Sequence, residues 1–182
     1  MMEINNQYVI IDHTWLWRAD HEINGGKVYN SRNYVENGLV VNADNVRAYG
    51  LFSEHNLGDL VQWNANNGEV YFYQSELPYD VTQSNFADAG YFGFRVADNV
   101  TSFKGYGIAV YSFFRDNTVW QPSGIKAPNV YGVQFTNSYI RFLDGNGGIS
   151  HVLNDQGNSV STGSRDSYLC NFNALSEEDS FV

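Results

Sequence analysis

A phrase repeated within residues 38–80 is the feature that most constrains the fold of this chain. The first copy occupies residues 42–54 and the second residues 64–76, and both open with Asn-Ala-x-Asn and close with Ser-Glu. Asn67 of the second copy lies 22 positions after Asn45 of the first. Self-similarity at a short fixed period indicates stacked units, none of which can bury a core alone. The repeat therefore predicts a coil of short strands.

Shorter copies of the phrase surround Asn99 and Asn129, at intervals of 32 and 30 residues, and each leads into a β-rich run. A period near 22 fits one turn of a parallel β-helix, and the longer intervals predict rungs with extruded loops. An Asn-rich turn between strands is common in any β protein and is the alternative explanation. No stretch has apolar residues at helical spacing, so almost no α-helix is expected.

These patterns predict an all-β chain folded as a single-stranded parallel β-helix of about five to six rungs. The β-helix is predicted over residues 1–155, and residues 156–182 are predicted to be a C-terminal tail or cap that is partly frayed around residues 176–180. The four repeated asparagines, Asn45, Asn67, Asn99 and Asn129, are expected to stack as a turn ladder. Arg47 and Glu69 are expected to form an exposed ion pair between rungs.

The composition limits the partners that the chain can have. Its formal net charge is −10, which argues against nucleic acid and against anionic membranes. It has no run of about 18 apolar residues that could span a bilayer. The lone Cys170 excludes an intrachain disulfide, and the four histidines show no metal-binding spacing. Residues 144–147 lack the distal Glu of an EF-hand calcium loop, so neither a metal nor another cofactor is predicted.

The start of the chain suggests that other protein covers it. Strand-like sequence begins at Tyr8 without a preceding cap or signal peptide, and an uncovered β-helix edge invites aggregation. We therefore expect the C-terminal piece of a longer parent chain, or a homo-oligomer such as a trimer whose neighbours cover the edges. Abundant aromatic and Asn residues are typical of extracellular β proteins that handle carbohydrate, and favour an extracellular or virion-associated location.

Two glutamates hold the same position in the two clear copies of the phrase. Glu54 and Glu76 each follow their anchor asparagine by nine residues, so successive rungs should stack them about 4.8 Å apart. A looser match between residues 18–21 and 52–55 places Asp20 on Glu54 and His21 on His55. The column of three candidate catalytic carboxylates would then end, because Ile108 and Ser138 are expected on the next rungs.

Stacked carboxylates predict acid–base chemistry. Each raises the pKa of its neighbour, and a carboxyl that keeps a proton near neutrality can protonate the leaving group in glycoside hydrolysis. Retaining enzymes hold their carboxyls roughly 5–5.5 Å apart and inverting enzymes about 6.5–9.5 Å. Glu54 with Glu76 suits the first spacing, and Asp20 with Glu76 lies nearer the second. A solvated acidic face and a weak cation site are the alternatives.

Aromatic and histidine side chains accumulate around the acidic column and are predicted to bind sugar, because pyranose rings stack on aromatic faces. About half of the rings should nevertheless point into the core, since alternate residues of a strand face inward. The predicted substrate-binding residues are Trp15, Trp17, His21, His55, Trp63, Tyr73 and Tyr79.

Four segments, residues 14–21, 38–46, 49–55 and 71–80, carry a resemblance to a known family. They resemble the C-terminal β-helix of large secreted proteins of the pectate-lyase-like superfamily, related to the glycoside hydrolase family 55 β-1,3-glucanases. A similar module occurs in a chlorovirus virion protein linked to algal cell-wall degradation. The resemblance implies a right-handed β-helix that acts on wall polysaccharide by inversion, with a glutamate acid that could be Glu54 or Glu76.

The same resemblance implies one departure, because those glucanases place their cleft between two β-helices and this chain has one. The leading hypothesis is a cell-wall polysaccharide hydrolase, with Glu76 or Glu54 as proton donor and Asp20 assisting a water. A non-catalytic carbohydrate-binding or virion adhesion module is the first alternative. A polysaccharide lyase is the second, although Lys104 and Lys126 do not lie in the acidic column.

Overall fold

The computed structural model describes residues 1–29 and 32–173, which form an almost entirely β-stranded protein. The strands are β1 Met2–Ile4, β2 Ile10–Trp17, β3 Leu39–Val41, β4 Arg47–Glu54, β5 Val61–Trp63, β6 Gly68–Glu76, β7 Phe94–Val96, β8 Phe103–Lys126, β9 Val133–Leu153 and β10 Asp166–Phe172. Among the described residues the one helical element is a π-helix, Gln83–Ala87. The segment predicted to be frayed, residues 176–180, lies outside the described part of the chain.

The strands stack in two parallel columns. Short strands pair in the order β1, β3, β5 and β7, and the last of these pairs with the end of β8. Long strands pair in the order β2, β4, β6, β8 and β9, all parallel. One short strand followed by one long strand makes one turn of the coil, so the predicted parallel β-helix is confirmed.

A row of residues with left-handed backbone bends the long strands in the middle. The row contains His13, Gly50, Phe72, Gly107 and Asn137, with φ between +46° and +65°. They hold one register position, because the residues on either side of each pair as strand partners. Each long strand therefore has two outward faces: a turn face before the bend, and an acidic face after it.

The core fills the inside of the coil with stacked apolar side chains. Trp63, Phe94, Phe103 and Phe135 are almost completely buried, and their rings contact one another at centroid distances of 5.3 to 6.5 Å. Strand residues alternate between this core and the surface, as the pleat requires. The stacked interior fixes the rungs and so fixes which outward side chains lie opposite one another.

The predicted register is wrong beyond the third rung. Glu69 pairs with Lys104, so the residue stacked on Asn67 is Ser102, and not Asn99. Four residues separate β5 from β6, whereas six separate β7 from β8. The extra residues displace the repeated Asn-Val phrase from the corner. Asn99 and Asn129 are consequently not members of the ladder, although Asn64 does donate to Asn42, 22 residues earlier, at 2.8 Å.

Residues 115–122 do not form one of the predicted extruded loops. These residues belong to β8, where Val119 and Trp120 pair with Gly147 and Gly148 of β9 after a register shift. Strand β10 then pairs antiparallel with the other side of β9, so it covers the free edge of the last rung. Within the described residues, no helix has the length and apolar character needed to cross a membrane.

Candidate active site

The acidic face carries the predicted pair of glutamates side by side. Glu54 at the end of β4 pairs in register with Glu76 at the end of β6, which confirms that they stack on consecutive rungs. Trp17 precedes them in the same column, and Tyr111 and Arg141 follow. Their catalytic roles remain predictions, but the geometry on which those roles depend is present.

Glu54 is the more buried member of the pair. The residue is 7% exposed, and its Oε2 accepts a hydrogen bond from the indole Nε1 of Trp15 at 2.9 Å. The pKa of Glu54 is raised to about 7: burial is the main cause, the charges of Glu76 and Asp20 also raise it, and the Trp15 hydrogen bond opposes the rise. A carboxyl of this kind exchanges its proton near neutral pH.

Glu76 is more open than Glu54 and is held by a tyrosine. The hydroxyl of Tyr79 donates to Oε2 of Glu76, and the Tyr79 ring packs edge-on against His55 at 4.3 Å and Phe113 at 4.7 Å. Burial, together with the hydrogen bond to Glu76, raises the pKa of Tyr79, so it remains a phenol and a donor. One oxygen of Glu76 is thereby oriented, which leaves the other for a ligand.

The predicted alignment of Asp20 with Glu54 and of His21 with His55 is wrong. Trp17 pairs with Glu54, so Asp20 lies three residues beyond the column, on the segment that follows β2. No repeated asparagine anchored that alignment. Asp20 nevertheless lies close to the site. Its Oδ1 is 3.0 Å from Nδ1 of His21 and 3.8 Å from Nε2 of His55, and its charge helps to raise the pKa of Glu54.

A buried ion pair fixes the two extruded segments around the glutamates. Arg18 donates from both terminal nitrogens to Asp80, at 3.0 and 2.9 Å, and the two side chains are 1% and 4% exposed. The same guanidinium donates to the carbonyls of His55 and Arg32. Asp80 adjoins Tyr79, so this pair positions the donor to Glu76.

An aromatic rim with a small cavity lies beside Glu54. The rings of Trp15 and Trp17 are 5.7 Å apart, that of His21 lies 5.5 Å from Trp17, and all three side chains are exposed as predicted. Trp15 and Glu54, together with the partly exposed Phe52 and Gln74, help to line a cavity of about 310 Å³. A ligand bound in this cavity would contact aromatic rings and the carboxyl group of Glu54.

Three of the predicted sugar-binding residues lie in the interior, so their assignment is wrong. Trp63 and Tyr73 are fully buried because they occupy inward positions on β5 and β6, and the Tyr73 hydroxyl donates to the carbonyl of Gly93. His55 is 3% exposed, and burial lowers its pKa to about 4. The neutral His55 ring therefore packs against Tyr79 and is shielded from solvent.

Sequence reasoning missed four residues of the acidic face and its support: Tyr111, Arg141, Gln74 and Arg18. The signal for Tyr111 was present, because Tyr-Gly occurs at both 49–50 and 106–107 and marks the bend on two rungs. Aligning those glycines places Tyr111 beyond Glu76, as observed. Nothing in the local sequence marks Arg18 as the partner of Asp80. No group of three or more His, Cys, Asp or Glu suited to a metal occurs in residues 1–29 and 32–173.

The fold and site together define a class: a parallel β-helix with a proton-retaining carboxylate pair at the foot of an aromatic rim. Residues 1–76 match the family described as the LAM55 pectate lyase-like domain. The chain is 40% identical over 163 residues to an exo-β-1,3-glucanase of Streptomyces sp. SirexAA-E. This match covers 87% of the chain and 26% of the relative, so the chain spans about a quarter of that enzyme.

Two solved structures share the fold. SacteLam55A from Streptomyces sp. SirexAA-E is 38% identical, with a TM-score of 0.87 over 93% of this chain and 32% of its own. A glutamate-to-alanine variant of that protein, in complex with glucose, is 37% identical with a TM-score of 0.86, over 93% of this chain and 31% of its own. The chain is thus similar to one part of a larger glucanase.

Proposed function

We propose that this chain is the carboxylate-bearing β-helix of a family 55 type glucanase and hydrolyses a β-1,3-linked cell-wall glucan. The observation that carries the proposal is the stacking of Glu54 on Glu76, in which burial of Glu54, together with the charge of Glu76, raises the pKa of Glu54 to about 7. The similar Streptomyces enzyme is named an exo-β-1,3-glucanase, and its variant was solved with glucose, which supports the choice of substrate.

The exposed member, Glu76, is assigned the proton transfer to the glycosidic oxygen. Glu54 is buried behind Trp15, whereas Glu76 is partly exposed and oriented by Tyr79. Because Glu54 stacks on Glu76 in register, the proton that Glu54 retains near neutral pH can pass to Glu76 when a sugar excludes water.

The reaction needs one further carboxylate to complete its proton balance. As the bond between the anomeric carbon and the leaving oxygen breaks, Glu76 gives its proton to that oxygen and a water attacks the anomeric carbon. Asp20 is assigned the proton from this water, because it is the third carboxylate whose charge reaches Glu54. Trp15 and Trp17 are assigned to sugar stacking at the rim.

The test is release of reducing sugar from a soluble β-1,3-glucan by wild type and three variants. Glu76→Gln and Glu54→Gln should each lower kcat/KM by about 10²-fold or more, the contribution typical of a general acid or base. Glu3→Gln is the matched control, since Glu3 is an exposed glutamate on the short strand β1, away from both faces of the long strands. It should leave kcat/KM unchanged.

Other outcomes would select the alternatives. Binding to glucan that survives both substitutions, with no product from wild type, would show a carbohydrate-binding or adhesion module. Product absorbing near 232 nm (about the wavelength of an unsaturated uronide) from a uronan would show a lyase, a different use of acid–base residues. Proton NMR of the first-formed anomer decides between retention and inversion.

The retained proton can be measured without any substrate. Trp15 donates directly to Glu54, so its fluorescence should change as Glu54 ionises, with a midpoint near pH 7. Glu54→Gln should abolish the transition. A midpoint near pH 4.5 in wild type would mean that the pair does not retain its proton, and the proposal would fail.

We further propose that the module acts outside the cell or on a virion, as part of a longer parent chain or a trimer. Support comes from its exposed aromatic residues and its similarity to one part of a larger glucanase. Sedimentation of the chain at several concentrations tests the trimer, and a monomer throughout would exclude it.

A further inference from the structure

A second and larger concavity lies on the turn face, at the other end of the long strands from the glutamate pair. Its volume is about 610 Å³. Its wall includes one row of residues in register, Arg47, Glu69, Lys104 and Gln134, contributed by four consecutive rungs. We call this concavity the turn groove.

The charges along the turn groove largely cancel. Nε of Arg47 donates to Glu69 at 2.9 Å, and the Tyr71 hydroxyl also donates to Glu69 at 3.0 Å. Lys104 and Gln134 continue the row with exposed or partly exposed polar ends. The groove therefore offers hydrogen-bond donors and acceptors in alternation, without the concentrated positive charge that a polyanion requires.

Aromatic rings border this polar row. Tyr49, Tyr71 and Tyr106 occupy the next outward position of their strands and stack with centroids 5.1 and 4.9 Å apart and planes within 10°. Tyr49 is 37% exposed at the end of the stack. Rings with an apolar face and a polar hydroxyl suit ligands that are themselves partly apolar and partly hydroxylated.

Tyr8, at the end of the groove, has an unfavourable backbone conformation. Its φ is +61°, in the left-handed region, and the residue is 78% exposed. The equivalent corner positions on the next two rungs, Asn45 and Asn67, have φ of +61° and +55°. Asn tolerates this conformation and Tyr does so poorly. A strained, exposed aromatic residue is therefore a signal of binding.

We propose that the turn groove is a second, non-catalytic binding site for a neutral glycan chain that lies along the axis of the β-helix. Each rung would present one polar side chain to the hydroxyls of the glycan, and Tyr8 would contact its apolar face. The choice of β-1,3-glucan as the polymer rests on the proposed function. The proposal that a neutral glycan occupies the groove does not depend on that function.

The experiment is affinity electrophoresis in gels containing a soluble β-1,3-glucan, with Glu76→Gln as the background so that cleavage does not interfere. Adding Tyr8→Asn or Lys104→Ala should weaken retention about five- to ten-fold, since one aromatic or hydrogen-bonded contact contributes on this order. Trp120→Ala is the matched control, because this exposed ring lies outside the groove. It should leave retention unchanged.

Tyr8→Asn separates a binding role from a structural one. Asn suits the left-handed corner, so the melting temperature should stay the same or rise while retention falls. A structural role for Tyr8 would lower both. Lys104→Ala provides a second reading that does not depend on the strained corner.

Three results would overturn the proposal. The first is that neither Tyr8→Asn nor Lys104→Ala changes retention, or that no protein is retained at all. The second is retention on a uronan that exceeds retention on the neutral glucan. The third is self-association in sedimentation that Tyr8→Asn abolishes, which would make the groove a contact with a second copy. If wild type releases no sugar from the glucan while the groove variants still lose retention, the proposed function fails and the groove stands.

Discussion

At both ends of the paired strands β4 and β6, a glutamate of β6 lies opposite a residue of β4. The two ends differ in the charge of that β4 residue. On the turn face Arg47 meets Glu69 at 2.9 Å, with side chains 55% and 25% exposed. On the acidic face Glu54 meets Glu76, and Glu54 is 7% exposed. The same strand pairing therefore makes an ordinary ion pair at one end and a proton-retaining pair at the other.

The burial of the acidic column comes from the extruded loops. The segments that follow β2 and β6 both fold over the acidic face, where Arg18 and Asp80 join them. Tyr79 from the second segment donates to Glu76, and Trp15 from β2 donates to Glu54. The turn face has short turns without such cover. The cover lowers the local dielectric around Glu54 and so raises the pKa of that carboxyl.

The substitution with the largest expected effect disrupts the ion pair that joins the two covering loops. Arg18→Met should lower the free energy of unfolding by about 3–5 kcal/mol, because Asp80 would lose the two hydrogen bonds that it accepts from the buried guanidinium. Urea denaturation of the variant measures the loss. The double variant Arg18→Met with Asp80→Asn should recover part of it. A loss below ~1 kcal/mol would mean that the pair does not hold the loops together.

The next effect concerns pH. Because the pKa of Glu54 is raised in the folded state, its contribution to stability is present below its unfolded pKa of about 4.5 and is lost as pH rises through about 7. The difference between these two pKa values corresponds to about 3 kcal/mol in the free energy of unfolding. Glu54→Gln should therefore match wild type near pH 4.5 and exceed its stability at pH 8. Urea midpoints at both pH values check the sign, and equal midpoints at pH 8 would contradict the raised pKa.

The sequence predicted the acidic pair because the first two full rungs have turns of equal length. Glu54 and Glu76 follow identical spacings from Asn45 and Asn67, and strand pairing preserves that spacing. The later rungs could not be aligned in the same way. Their turns contain extra residues that leave the repeated phrase intact but move it away from the corner.

The prediction that Tyr73 binds sugar was wrong for a different reason, which is a break in the alternation of β6. Strict alternation from Tyr71, which is outward, would place Tyr73 outward as well. The left-handed corner at Phe72 is exposed and interrupts the alternation, so Tyr73 turns inward and Gln74 outward. Glycine marks the same corner at Gly50 and Gly107, but on the β6 rung the residue is a phenylalanine, which gives no local signal of a bend.

The smallest effect sharpens the comparison from the turn face. Arg47→Met should change the free energy of unfolding by less than about 1 kcal/mol, because an exposed ion pair gains little over its hydrated partners. The change should shrink further at high salt, where surface charges are screened. The Trp15 fluorescence midpoint should stay near pH 7, since Arg47 is not among the charges that act on Glu54. A loss as large as that from Arg18→Met, or a shifted midpoint, would show that the two columns are energetically linked through β4 and are not independent surfaces.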